Sequence, residues 1–191
     1  DKCKEYGLRL LRIGEFAWGR MEPEEGKFDL DWLEEVVDRL HENGISVILC
    51  TPTCTPPRWL LNRYPETRQV SPAGVRETVS SRCHTCKTSP LMREKNLRIT
   101  EQLAQRFGAH PGVVGWQIDN ELYIYRDGCY CSLCRAAFHK YLKEQYGTVE
   151  VLNRRWGMAR WSLEYSSFDE VEPPRPDEWR HPSLRTAWRR F

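Results

Sequence analysis

Apolar and polar positions along the chain change period several times, and the changes mark out a succession of strands and helices. Leu8 to Ile13 is a short apolar run interrupted by arginines, and it predicts a strand leading into an exposed turn over Gly14 to Trp18. Asp31 to Leu40 then carries Trp32, Leu33, Val36, Val37 and Leu40 at helical spacing, with Gly44 as a stop signal just beyond. Ile45 to Leu49 predicts a second strand, ended by the prolines of the segment Thr51 to Pro57. After a long loop region, Leu97, Leu103, Ala104 and Phe107 predict a second helix closed by Gly108, and Val113 to Ile118 predicts a third strand. Ser132 to Tyr146 predicts a helix with Leu133, Ala136, Ala137, Tyr141 and Leu142 inward and Gly147 at its end. The proline-rich stretch Glu172 to Asp177 breaks the pattern before a last short helix, Ser183 to Phe191.

Strand, helix, strand, helix, strand in this order favours an α/β fold, because a parallel crossover needs a return of helix length. No repeat, low-complexity tract or linker composition divides the chain, so residues 1–191 are expected to form one incomplete domain. Three strands cannot close a barrel, and two open edges imply marginal stability on their own.

Composition alters this picture little. The 191 residues are 40% hydrophobic and 29% charged, which suits a folded chain, and 29 basic against 27 acidic residues leave a net charge of +2. That balance gives no reason to expect nucleic acid or an anionic membrane as partner. No run approaches the roughly 18 apolar residues of a membrane span. The chain begins at Asp1 with no export-signal pattern, so a signal is absent or lies outside the sequence, and five of the eight cysteines fall in two groups with metal-ligand spacing, Cys83/Cys86 and Cys129/Cys131/Cys134, which favours the cytoplasm over a disulfide-forming compartment.

The densest chemical signal is Gly115 to Glu121, where the amide of Asn120 is followed by the carboxyl of Glu121 just past an apolar strand. Parallel α/β barrels carry their chemistry at such strand ends. Cleaving a glycosidic bond requires protonation of the leaving oxygen while positive charge builds on the sugar ring, and Glu121 is a candidate donor. Acid function near neutral pH calls for an apolar wall, for which Trp116 and Tyr123 are the nearest candidates in sequence, or for a second carboxylate. An Asn-Glu pair by itself is equally compatible with a loop cap.

A second signal is Cys129, Cys131 and Cys134, three thiols within six residues at the start of a predicted helix. Structural zinc accepts four thiolates, and Cys83 or Cys86 in the preceding long loop offers the fourth.

The segments Arg12 to Trp18, Glu22 to Phe28, Thr51 to Leu60, Gly115 to Glu121 and Tyr146 to Thr148 together resemble the β-galactosidases of glycoside hydrolase family 42, in the family's order and over nearly the whole chain. The resemblance implies an incomplete (β/α)8 TIM barrel, spanning about the second to fourth βα units, with the first strand and the C-terminal half outside the sequence. It implies a retaining β-galactosidase acting on terminal non-reducing β-D-galactosyl residues. Glu121 is then the acid/base, and the nucleophile is a second glutamate much later in the chain and absent here. Asn120 is implied to bind the sugar hydroxyl next to the reacting carbon, and Arg82 to contact galactose. The implied zinc ligands are Cys86, Cys129, Cys131 and Cys134. Cys83 stands where the family usually has arginine, and is a possible competitor for the metal. With all four positions filled by protein, such a zinc is structural.

The resemblance further implies a β-galactoside as partner and a homo-oligomeric parent, a trimer. The 191 residues alone are expected to be inactive for want of the nucleophile. Two rivals stand beside this reading: a retaining glycosidase for α-L-arabinopyranosides, and a zinc-stabilised binding module in which Glu121 is incidental.

Overall fold

The computed structural model describes residues 2–79, 82–122, 128–176 and 181–191. In chain order the main elements are α1 (Lys2–Glu5), β1 (Leu10–Ile13), α2 (Trp18–Met21), α3 (Asp31–Glu42), β2 (Ser46–Cys50), α4 (Arg58–Arg63), α5 (Pro90–Phe107), β3 (Val113–Gln117), α6 (Ser132–Tyr146), α7 (Val149–Trp156) and α8 (Pro182–Arg190). The chain divides into two compact units, one of residues Asp1–Arg68 with Thr78–Ile124, the other of Gln69–Glu77 with Tyr125–Phe191.

The first unit holds the sheet. Its three strands lie in the order β1, β2, β3, and both pairings are parallel. Arg12 is in register with Ile48, and Cys50 with Gln117, with a shift in the β2/β3 ladder between Val47 and Ile48. This is the α/β architecture expected for part of a (β/α)8 barrel.

Alternation along β2 sends Val47 and Leu49 into a core that includes Trp18, Met21, Leu33, Val37, Leu60, Met92, Ile99, Leu103 and Phe107. Ile13, Val113 and Trp116 pack against the same core from the neighbouring strands. Leu10 and Val114 remain exposed, as is natural where further strands are needed to close a barrel.

Several boundaries differ from the sequence reading. The strands are shorter, Leu10–Ile13 and Val113–Gln117, because pairing with β2 sets their ends. Helix α5 starts seven residues earlier than expected, at Pro90, where Ser89 Oγ accepts from the backbone N–H of Met92 and proline fills the first position, which needs no donor. Its inward face is Met92, Lys95, Ile99, Leu103 and Phe107, whereas Leu97 is exposed. A charged residue inside the true stripe had hidden its period. In α3, Leu33 and Val37 are buried, but Val36 faces outward.

The second unit is helical. Phe138 and Leu142 form the buried face of α6, and Phe138 meets Trp188 of α8 edge-on at 4.9 Å between ring centroids. Leu133, expected inward, is exposed, while Cys134 one position on is buried. Helix α7 was not anticipated, although its signals are present: Thr148 Oγ1 caps the N–H of Val151, and Gly157 ends the helix in the left-handed conformation. Its Trp156 donates its indole N–H to Tyr146 Oη at 2.8 Å. Asp177, the end of the predicted proline-rich break, lies outside the described residues. No helix among the described residues is long and apolar enough to cross a membrane.

Lys95 explains how a charge is tolerated inside a helix stripe. Its ammonium donates to Glu25 Oε1 at 2.7 Å, and Glu25 also accepts from Tyr64 Oη at 3.0 Å and pairs with Arg63 at 2.7 Å. The hydrogen bond from Lys95 holds the Glu25 carboxyl below its ordinary range, and the hydrogen bond to Glu25 raises the pKa of Lys95. Glu25 therefore contributes stability that is complete above the ordinary carboxylate pKa and is lost as pH falls through its lowered folded value. Lys95→Met should destabilise the full-length protein by about 2 kcal/mol in urea unfolding, less than for a fully enclosed pair because Glu25 keeps some access to water. The variant should also show a weaker acid-side stability dependence, since Tyr64 and Arg63 still hold Glu25. Adding Glu25→Gln should cost little more; an additive second loss would contradict the coupling.

Candidate active site

Three parallel strands deliver three C-terminal ends to one edge of the first unit, and polar side chains gather there. After β1 come Glu15 and Phe16; after β2 come Thr51, Cys54 and, further along the loop, Arg82, Cys83 and Lys87; after β3 come Asp119, Asn120 and Glu121. The segment after β3 is tightly held. The N–H of Asp119 donates to Thr51 Oγ1 at 2.7 Å, its carboxylate accepts from Lys87 Nζ at 2.9 Å and from the Asn120 N–H at 2.9 Å, and its carbonyl accepts from Gln117 Nε2 at 2.9 Å.

Asp119 and Glu121 adopt φ of 57° and 47°, a region that non-glycine residues enter at a cost of about 1–3 kcal/mol each. Gly14, directly after β1, has φ of 101°, and a Cβ there would stand 3.2 Å from the Cys50 carbonyl, so glycine lets the first two strand ends approach.

The three carbohydrate-site residues expected from the sequence all lie in this cluster. Arg82 reaches Glu121, its Nη2 2.7 Å from Oε2, and its guanidinium stands 5.9 Å from the Phe16 ring centroid. The Glu121 carboxylate remains about half exposed. Asn120 is buried; its Oδ1 accepts from Gln117 Nε2 at 3.2 Å, while its Nδ2 is enclosed with no hydrogen-bond partner among the described residues. An enclosed donor left unpaired costs about 1–3 kcal/mol and marks a place for an acceptor.

The apolar wall anticipated for Glu121 is not supplied by Trp116, whose ring packs with the core on the helix-covered side of the sheet. Strand alternation accounts for this, since Gln117 takes the opposite face. Tyr123 lies outside the described residues. Trp18 is fully buried and donates its indole N–H to Glu22 at 2.8 Å, while Glu15 serves Arg12 at 3.1 Å.

Two residues that the sequence reading did not single out stand at the centre of the network. Arg12 Nη1 donates to Gln117 Oε1 at 3.0 Å, and Gln117 in turn donates to Asn120. The available signal was the position of Gln117 within the segment Gly115 to Glu121, one residue out of phase with the core-facing Trp116.

The cysteines fall into two groups. Cys86 is buried in the first unit; in the second, Cys129, Cys131 and Cys134 are buried with their sulfurs within 4.8 Å of one another, so these three could contribute to a metal site. A tetrahedral zinc with bonds near 2.3 Å separates its sulfurs by about 3.8 Å, inside that limit. Cys83 is not in that set; its Sγ faces the Asn120 carbonyl at 3.9 Å, and its N–H donates to the Cys54 carbonyl at 2.9 Å. Burial, with the nearby Glu15 and Asp119 carboxylates respectively, pushes Cys50 and Cys54 up to about 11, and burial also raises Cys83. These three thiols stay protonated at neutral pH and are poor nucleophiles.

Comparison with known proteins agrees with this geometry. The model of the glycoside hydrolase family 42 β-galactosidases matches residues 1–191. The β-galactosidase Bga of Halorubrum lacusprofundi is 43% identical over 187 residues, covering 97% of this chain and 27% of its own. A β-galactosidase of Thermus thermophilus is 47% identical over 175 residues, covering 91% of this chain and 27% of its own. The crystal structure of a β-galactosidase from the psychrophilic Marinomonas ef1 superposes with a TM-score of 0.92 at 40% identity, over 97% of this chain and 29% of that one. The chain thus spans less than a third of the length of these relatives. A match over every position, together with a parallel sheet that gathers Arg82, Asn120 and Glu121 at its strand ends, shows that the chain belongs to the glycoside hydrolase family 42 β-galactosidases.

Proposed function

We propose that residues 1–191 are part of the catalytic TIM-barrel domain of a retaining β-galactosidase, with Glu121 as the acid/base and the nucleophile supplied by a residue outside this sequence. The observation that carries the reading is the convergence at one sheet edge of a half-exposed carboxyl, Glu121, a guanidinium 2.7 Å from it, Arg82, and an enclosed amide donor with no partner among the described residues, Asn120. A β-galactoside offers each of these groups its complement. The glycosidic oxygen takes a proton from Glu121 as the bond to the anomeric carbon breaks, and Glu121 then takes one from the water that releases the sugar. Arg82 donates to sugar hydroxyls, and Asn120 Nδ2 donates to the hydroxyl next to the reacting carbon. Hydrogen bonds to that hydroxyl strengthen as charge builds on the ring, so Asn120 acts on the transition state more than on binding.

The second carboxylate of a retaining site stands roughly 5–5.5 Å from the acid/base. It attacks the anomeric carbon on the opposite face of the sugar from Glu121. Without it, the covalent route is closed to these residues alone.

We further propose that Cys86, Cys129, Cys131 and Cys134 hold a structural zinc ion. Cys129, Cys131 and Cys134 gather three buried sulfurs, thiolate is a ligand that structural zinc takes, and Cys86 as the fourth would leave no ligand position for water or substrate. The metal would secure the segments that carry these cysteines and take no part in glycoside cleavage.

In the full-length protein, Glu121→Gln should lower kcat on an aryl β-galactoside by about 100- to 10,000-fold. With an activated leaving group, azide should restore part of the rate and yield the β-galactosyl azide; full activity in the variant would overturn the assignment. Elemental analysis should find about one zinc per chain, lost in Cys131→Ser together with thermal stability. A metal-free protein of unchanged melting temperature would remove the zinc proposal and leave the glycosidase reading intact.

A further inference from the structure

Hydrogen-bond polarity across the sheet constrains how Asn120 can point. The guanidinium of Arg12 has donors and no acceptor, so the Gln117 atom that it contacts at 3.0 Å must be the carbonyl oxygen Oε1. The other end of the Gln117 amide, Nε2, is then a donor. It faces the Asp119 carbonyl at 2.9 Å and the Asn120 side chain at 3.2 Å. A donor requires an acceptor opposite, so Asn120 must turn Oδ1 toward Gln117 and Nδ2 away from it. Nδ2 is the atom that is enclosed without a partner among the described residues. Arg12 is itself held by Glu15, whose Oε1 accepts from Nε at 3.1 Å.

We infer that Gln117 is a positioning residue that sets the amide polarity of Asn120, so that the site presents a hydrogen-bond donor, and not an acceptor, to the sugar hydroxyl next to the reacting carbon. The inference rests on the proposed role of Asn120 and extends it to a residue that touches no substrate. A reversed Asn120 would place Oδ1 against that hydroxyl. The hydroxyl would then have to donate its proton to Asn120, and would no longer be free to donate it to another acceptor in the site, the kind of bond that strengthens as positive charge builds on the ring. Arg12 is the origin of the polarity, β1 and β3 carry it, and the bond that reaches the Asn120 side chain is made by Gln117.

The test compares kcat/KM for 4-nitrophenyl β-D-galactopyranoside with that for its 2-deoxy counterpart, using the full-length protein. The readout is the ratio of the two values, which cancels effects on folding, on Glu121 and on leaving-group departure. Gln117→Glu keeps the shape and the partnership with Arg12 but turns an acceptor toward Asn120, so the amide reverses. Its ratio should fall by about tenfold or more, the loss expected for one hydrogen bond that matters in the transition state. Gln117→Met, which keeps the length and adds no charge, should lower the ratio by a smaller factor because it leaves the amide free to take either orientation.

Asn120→Ala, measured in parallel, should lower the ratio at least as far as Gln117→Glu. If Asn120→Ala lowers it and both Gln117 variants keep the parent value, the positioning role is overturned while the reading of Asn120 survives. If Asn120→Ala leaves the ratio unchanged, the sugar contact itself is wrong and the role of Gln117 falls with it.

Discussion

Parallel strands cannot be joined by a tight hairpin; each must be followed by a return long enough to bring the chain back to the starting edge. Here α3 makes the return from β1 to β2, and α5 makes it from β2 to β3. The consequence is that all three strands finish at the same edge of the sheet. Side chains as far apart in sequence as Arg12 and Gln117, 105 positions, come into hydrogen-bond contact because the ladder brings their strands to matching heights. The helices supply the apolar face that the strands need, with Val37, Ile99, Leu103 and Phe107 closing over Val47 and Leu49. Packing on one side of the sheet therefore holds the polar network on the other.

That network is costly where it meets the proposed substrate. Asp119 and Glu121 have positive φ, and Asn120 between them encloses a donor that has no partner among the described residues. The surrounding bonds explain how the arrangement persists. Thr51, Lys87 and Gln117 each hold a different atom of Asp119, and the Asp119 carboxylate also receives the backbone N–H of Asn120. Two strand ends and the loop after β2 thus restrain one residue, and the two that follow inherit its orientation. Strain kept by an over-determined neighbour is a sound way to aim a carboxyl from a strand end without relying on a flexible loop.

How far the sequence could be read follows from what each signal measures. Short apolar runs and the prolines after Leu49 located the strands, because apolar clustering and the missing N–H of proline are local properties. The start of α5 was less accessible: Lys95 lies in the buried stripe, and its tolerance there depends on Glu25, 70 residues earlier. Val36 and Leu133 were misassigned for a related reason, since a helix buries only the arc that its neighbours cover. Glu121 could be nominated from its segment, and Asn120 and Arg82 from the family resemblance, but the contact of Arg82 with Glu121 could not. Gln117 passed unnoticed because its importance lies in the direction of a hydrogen bond, which no residue pattern records.

The cysteines show the same limit from the other side. Cys83 and Cys86 are three positions apart and looked interchangeable as a fourth metal ligand beside Cys129, Cys131 and Cys134. Their backbones separate them. Cys83 has φ of 56° and turns its sulfur toward the Asn120 carbonyl, whereas the N–H of Cys86 is fixed by the Thr67 carbonyl at 2.7 Å and its side chain is fully buried. Burial beside Asp119 keeps Cys83 and Cys54 as neutral thiols, so neither adds a charge next to Glu121 at neutral pH. A thiolate at that point would compete with the carboxyl of Glu121 for the guanidinium of Arg82. Neutral sulfur at the proposed active site and thiolate at the proposed zinc site are therefore compatible within one short loop, because the local backbone sends the two side chains into different surroundings.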